Sequence, residues 1–365
     1  MKLLILYVLF FTITVLFSQN ESNTSYAEYK MPEESARHEG TWLQWPHQHQ
    51  YGLKYRQSLD ETWISMTQAL IKSEKVHLIA YDLKEQKRII ALLTKNNTSL
   101  QKINLIIRKT DDVWIRDNGP IFVKNNTNQL TIEDWGFNAW GKDAKYKNCD
   151  LIPEQIGSKL SIQILDLNNI ILEGGAFEID GKGTLIATRS SVTHRSRNSI
   201  YSEKEMEKFF LKYIGASNII WLDGKYGTEI TDMHIDGFLK FANDSTIVTM
   251  NSENLQYWGL SSSDIDIIKT ASDVRHKAYK KVYVPLTLYD VKNTSGKSLG
   301  YKGSYCNYYI ANSVVLVPNY NDSNDEIANA IIQRLYSKRK VVGIDVRNLY
   351  ENGGMIHCVT MQQPK

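Results

Sequence analysis

Cysteine is scarce in this sequence: Cys149, Cys306 and Cys358 are the only three among 365 residues. So low and odd a number makes no disulfide framework for a chain of this size, and at least one thiol stays free unless it pairs between chains. The sequence leaves open whether Cys149 and Cys306 pair. An excess of charge of either sign is also missing. The 43 Lys and Arg stand against 40 Asp and Glu, a formal net of +3, which excludes the electrostatic footprint of a nucleic-acid or anionic-membrane binder. Long apolar runs are absent after the first, residues 3–17, which follows Lys2 and precedes the small Ser18. That run is short for a membrane span, so residues 1–18 read as a signal peptide; an uncleaved anchor is the alternative. No cysteine follows it, which excludes a lipoprotein anchor. With no second such run, no stable membrane insertion is expected once the leader is cleaved, and the protein is expected to be secreted or periplasmic.

What is present is an ordinary globular composition, 42% hydrophobic and 23% charged, in a chain long enough to bury a large core. Residues 19–30 read as a polar linker and 31–365 as one domain without internal low-complexity linkers. Leu59, Trp63, Met66 and Leu70 recur at helical spacing, as do Met206, Phe209, Phe210 and Tyr213, and then Ile327, Ile331, Ile332 and Leu335. Strand-like runs fall at 76–81, 104–108, 113–115, 130–134, 162–167, 170–179, 183–188 and 341–344. Strands in hairpins, a helix and a further strand recur every 60 to 70 residues or so, which is an α/β rhythm.

Four chemically suggestive segments lie within it. Cys358 sits in Gly353-Gly354-Met355-Ile356-His357-Cys358, where two glycines permit close approach to a thiol expected at a strand end. The plain alternative is a buried small hydrophobe. His234 and Asp236 are two apart, so an extended strand would put both on one pocket wall, with Asp232 beside them. A surface strand is the alternative, and a metal pair lacks a second histidine motif. Asp117 precedes the turn signal Asn118-Gly119-Pro120, at a strand end where sites are commonly placed; its alternative is a structural ion pair with Arg116. Glu173 precedes Gly174-Gly175 in the same manner. A thiol, an imidazole and several carboxylates are the parts needed to attack a cationic carbon centre.

At these residues the chain resembles the agmatine deiminase and bacterial peptidylarginine deiminase family of the pentein superfamily. The landmarks run in order from Met31-Pro32 through Glu39-Gly40-Thr41-Trp42, Trp114-Ile115-Arg116-Asp117-Asn118-Gly119-Pro120 and Phe137-Asn138-Ala139-Trp140-Gly141. They continue with Glu173-Gly174-Gly175, His234-Ile235-Asp236, Ser304-Tyr305-Cys306-Asn307 and the Cys358 segment. The resemblance implies five ββαβ units closed into a five-bladed α/β propeller with the site on its axis. It implies Cys358 as nucleophile, His234 as general acid/base, and Asp117 and Asp236 as carboxylates gripping a guanidinium. Glu173 would orient the histidine, with Trp114 and Asn307 on the substrate side. No metal or cofactor is implied, and a homo-oligomer is compatible.

The implied reaction is hydrolysis of agmatine to N-carbamoylputrescine and ammonia through a covalent thiouronium. Deimination of peptidyl-arginine is the alternative, and a catalytically silent binder of guanidines or polyamines a third. Met233 stands where relatives commonly have glycine. Arg195 and Arg197 would suit a substrate carboxylate or lie as surface arginines.

Overall fold

The structure, a computed structural model, describes residues 27–142 and 144–365. The expected signal peptide lies outside the described residues. Tyr29–Lys30, the end of the expected linker, already form a strand against Ile121–Asn125.

Five sheets, of four, three, three, three and four strands, organise the described residues. Each contains an antiparallel pair and a parallel partner reached through a helix. In the first by sequence, Ile121–Asn125 and Leu130–Gly136 are antiparallel, and helix Ile152–Leu160 leads to the parallel Gln163–Ile171. Phe177–Ile179, Thr184–Thr188 and Asn218–Leu222 repeat the pattern. So do Leu239–Asn243, Thr246–Thr249 and Lys280–Tyr283. Tyr309–Ile310, Val314–Asn319 and Lys340–Asp345 follow, with helix Asn324–Leu335 as the crossover. In the last sheet the strand Met361–Pro364 near the end of the chain pairs with His38–Gln44, which runs parallel to Lys75–Ala80 beyond helix Gln48–Leu70.

Local chemistry accounts for these elements. The parallel strands Lys75–Ala80 and Val314–Asn319 are buried almost throughout, so they read as apolar runs rather than alternations. Helix Gln48–Leu70 turns Leu59, Trp63, Met66 and Leu70 into the core, as their spacing predicts. Ser202 and Glu205 close a reciprocal capping box at the start of Glu203–Phe209, satisfying backbone donors that a helix start leaves free.

Three expectations change. Residues 113–115 are not a strand; the chain turns there into a short helix, Ile115–Asn118. The run expected at 170–179 breaks at Leu172–Ala176, where Glu173 and its two glycines form a turn. Cys358 belongs to a 3-10 turn, His357–Val359, immediately before the strand Met361–Pro364. Cys149 and Cys306 are free and buried, so they do not pair with each other. Among the described residues no helix is long and apolar enough to cross a membrane.

Candidate active site

The structure brings the expected reactive groups to one place. Cys358 Sγ lies 3.9 Å from Asp236 Oδ2. His234 Nδ1 is 3.6 Å from Asp117 Oδ1, and its Nε2 is 3.2 Å from Glu173 Oε2. Asn307 joins the cluster: its Nδ2 donates to Cys358 Sγ at 3.3 Å and to the Asp236 carbonyl at 3.2 Å. Its Oδ1 accepts from the His357 N–H at 2.9 Å, which fixes the backbone beside the thiol.

The local conformation differs from the expected strand. Asp232 and Met233 take φ of 61° and 72°, and His234 then leads into the 3-10 turn Ile235–Gly237. His234 and Asp236 still reach one cavity, but the turn brings them together, not strand alternation. The left-handed φ at Met233 is one that only glycine adopts without a Cβ penalty. Asp232 faces away from the thiol. It pairs with Lys142 Nζ at 2.9 Å and Arg197 Nη1 at 2.7 Å. Arg197 is wholly buried between Asp232 and Glu173, donating to Glu173 Oε1 at 2.8 Å. It is neither a surface arginine nor free to hold a substrate carboxylate; it fixes the carboxylate that in turn holds His234.

Arg116 does not pair with Asp117. Its guanidinium points to the His357 carbonyl, at 3.3 Å, and to Glu34, at 3.5 Å. Asp117 instead accepts from the Gly175 N–H at 3.1 Å and from the Trp140 indole N–H at 3.0 Å. The indole is presented by a turn in which Ala139 and Trp140 both have left-handed φ, 54° and 58°, backbone strain of the kind that concentrates at functional sites.

Gly175 marks the centre of the cluster. A Cβ there would lie 2.7 Å from His234 Nδ1, 2.8 Å from Asp117 Oδ1 and 3.1 Å from Asp236 Oδ2. Three polar atoms therefore converge on the space a side chain would take. Gly354 serves differently: a Cβ there would meet the Trp114 ring at 2.3 Å. Trp114 thus packs on the glycine backbone of the Cys358 segment and is not among the residues lining the cavity.

That cavity encloses about 380 Å³ over Cys358. His234, Asp236, Asn307 and Cys358 form its floor, while Met233, Tyr257, Trp258, Tyr301 and Tyr350 supply aromatic and apolar walls. Glu229 and Lys302 add opposite charges to its lining. Asp117 and Glu173 stand behind His234.

Burial and like charge set the protonation of this group. Burial pushes the Asp117 carboxyl up to about 6, a rise opposed by His234 and reinforced by Asp236 and Glu173. Burial works against a charged His234, but Asp117 and Glu173 outweigh it and raise the imidazole to about 9. Burial, then Asp236 and Asp117, raise the Cys358 thiol well above its ordinary value. At neutral pH the cluster therefore holds a thiol beside an imidazolium and carboxylates.

Sequence reasoning missed the groups beneath the site. His357 Nδ1 meets Asp236 Oδ2 at 2.8 Å, and its Nε2 meets Glu34 Oε2 at 2.7 Å. Lys240 Nζ bridges Glu34, at 3.0 Å, and Glu178, at 2.9 Å. The one local signal was the adjacency of His357 to Cys358; Glu34 and Lys240 lie 323 and 117 residues from His357 in sequence.

A family model described as Porphyromonas-type peptidyl-arginine deiminase matches residues 30–364. The chain is 28% identical over 372 residues to an agmatine deiminase of Pseudomonas aeruginosa, covering 94% of this chain and 98% of that protein. An agmatine deiminase structure from Enterococcus faecalis matches with a TM-score of 0.79 at 23% identity, over 93% of this chain and 96% of that one. One from C. jejuni, with substrate bound, matches with a TM-score of 0.79 at 22% identity, over 92% and 96% respectively. These two structures establish the likeness of fold.

Gly175→Ala tests the convergence. The added methyl falls among His234, Asp117 and Asp236, so activity is expected to drop to background. The folded state, followed by circular dichroism and thermal melting, should persist because side-chain groups around a cavity have room to shift.

Proposed function

The chain belongs to the Porphyromonas-type peptidyl-arginine deiminase family, and from that premise we propose that it is an agmatine deiminase, hydrolysing agmatine to N-carbamoylputrescine and ammonia. The observation that carries the reading is the ring of Asp117, Asp236 and His234 around the space over Gly175, with the Cys358 thiol beside Asp236. A guanidinium is planar and presents donors along its edges, which carboxylates on different edges hold in one orientation. The same cation removes the repulsion that keeps the thiol protonated, so substrate binding generates the nucleophile.

The steps then follow from the side chains alone. As the cation binds, the Cys358 thiol loses its proton to solvent, because His234 already carries one, and the thiolate attacks the central guanidinium carbon, which becomes tetrahedral. His234 gives its proton to one nitrogen, the carbon–nitrogen bond breaks, and ammonia leaves a cationic thiouronium on Cys358. Water enters, His234 takes one of its protons as the oxygen bonds to carbon, and collapse breaks the carbon–sulfur bond, the remaining hydroxyl proton returning the sulfur to a thiol as the ureido product leaves. Glu173, anchored by Arg197, keeps the imidazole aimed throughout. Neither a metal nor a cofactor enters these steps.

Two features favour agmatine over other guanidines. The curated relative from Pseudomonas aeruginosa is an agmatine deiminase. Glu229 also places a carboxylate on the cavity lining, where the distal ammonium of agmatine would find a partner.

We read the five sheets as the blades of a closed propeller of ββαβ units with the site on its axis. The repeated antiparallel-then-parallel pairing and the union of Met361–Pro364 with His38–Gln44 support this. We also propose that residues 1–18 are a cleaved signal peptide and that the protein is secreted or periplasmic, on the strength of the uncharged apolar run after Lys2.

Ammonia release by the purified mature protein, with agmatine, free arginine and an arginine-containing peptide in parallel, tests the proposal. Agmatine is expected to turn over, and Cys358→Ala to abolish that turnover while leaving the fold intact. Turnover of the peptide alone, or none at all, would overturn the substrate assignment. Glu229→Gln should raise KM for agmatine by up to roughly fivefold, the scale of an exposed ion pair, with kcat little changed in steady-state assays.

A further inference from the structure

The reactive thiol is followed inward by a second, wholly buried layer of charge. His357 is 2% exposed, and each ring nitrogen faces a carboxylate oxygen: Nδ1 to Asp236 at 2.8 Å and Nε2 to Glu34 at 2.7 Å. A neutral imidazole has one donor and one acceptor nitrogen. In either neutral tautomer a lone pair would therefore be pressed against a carboxylate at hydrogen-bond distance. Only the imidazolium donates to both.

The groups around it favour the same state. Glu178 lies 3.9 Å from Nε2, on strand Phe177–Ile179. Lys240, on strand Leu239–Asn243, bridges Glu34 and Glu178, while Arg116 approaches Glu34 at 3.5 Å from helix Ile115–Asn118. Three carboxylates thus face His357, Lys240 and Arg116. A neutral His357 would leave an uncompensated negative charge out of water, which is costly. On the side of the reaction, His234 and Asp117 are the other titratable groups near Asp236, and Cys358, which follows His357 in the chain, has its Sγ 3.9 Å from Asp236 Oδ2.

We propose that His357 is a positioning residue: a buried imidazolium, held charged by Glu34, that keeps Asp236 ionised and aimed at the substrate's guanidinium beside the thiol. This rests on the reading of the site as a guanidine hydrolase. His357 touches neither substrate nor the reacting atoms in that scheme. Its effect passes through Asp236, which shares a cation-binding space with Asp117. Two carboxylates around one space resist simultaneous ionisation. A fixed cation behind one of them removes that resistance before substrate arrives, so less binding energy goes into deprotonation.

The sign of the pH effect follows. Without the cation Asp236 holds its proton to higher pH, and in its protonated form it no longer offers a carboxylate to the guanidinium. In His357→Gln the acid limb of kcat/KM for agmatine should move upward by about one pH unit or more, the scale of losing an adjacent opposite charge. The deficit should be deepest in acid, shrink towards alkaline pH, and fall on KM more than on kcat. Glu34→Gln, which leaves His357 in place but removes its far carboxylate, should move the limb in the same direction by less. A loss equal at every pH, with the limb unmoved, would overturn the proposal and leave His357 a packing residue.

Should His357→Gln fail to fold, nitrogen NMR of the native protein decides directly. A His357 imidazolium signature at and above neutral pH is expected, and a neutral tautomer at neutral pH would overturn the proposal. Because that spectrum needs no substrate, it is independent of turnover. Absence of agmatine hydrolysis in the native enzyme would sink the functional reading alone.

Discussion

The repulsion among carboxylates buried at and behind one cavity floor is the constraint on which the rest depends. Asp117, Glu173 and Asp236 stand within reach of one imidazole and one thiol, all withdrawn from water. Such a cluster is stable only if cations compensate it. His234 supplies one and Arg197 another from behind, with the imidazolium proposed at His357 as the third. What the cavity still favours is a further positive charge delivered from the open side. Ionising Cys358 would add one more negative charge to this balanced cluster, against burial and against Asp236 and Asp117, and a cationic substrate is what offsets it.

The fold exists, from this viewpoint, to hold mutually repelling groups together. They come from four separate segments: Asp117 from a short helix, Glu173 from a two-glycine turn, His234 and Asp236 from a 3-10 turn, Cys358 from another. Residues on one element would spread apart along it; residues at the ends of several elements meet at a point. Gly175 lets three of them approach, and Gly354 lets Trp114 pack against the thiol segment. Trp140, with its left-handed backbone, reaches Asp117 from yet another turn. Strain and close approach collect here because the cavity, not the packing, sets the geometry.

The groups that meet at the cavity were legible in the sequence for two reasons: Cys358, Asp117 and Glu173 lie near glycines or a turn signal, and His234 and Asp236 are two residues apart. The helix periodicity of Leu59, Trp63, Met66 and Leu70 was visible for a different reason, the large buried area of those side chains. The conformation around His234 was not. Nothing in Thr231-Asp232-Met233 signals left-handed backbone, because the residue that signals it, glycine, is absent there. The compensating charges were also hidden. Glu34, Lys240 and Arg197 look in sequence like ordinary surface residues, and only tertiary contact puts them behind the site. Local patterns report what the backbone needs, whereas electrostatic compensation is a property of residues distant in sequence.

The central claim is that the substrate's charge converts Cys358 from thiol to thiolate. The most direct measurement is the ultraviolet absorbance of the thiolate, taken at neutral pH as a difference between the native protein and Cys358→Ala, with and without a simple alkylguanidinium salt. The account predicts no thiolate signal from the free protein, consistent with a thiol raised by burial and by Asp236 and Asp117, and its appearance as the guanidinium is added. A full thiolate signal before any guanidinium is present, unchanged by its addition, would contradict it.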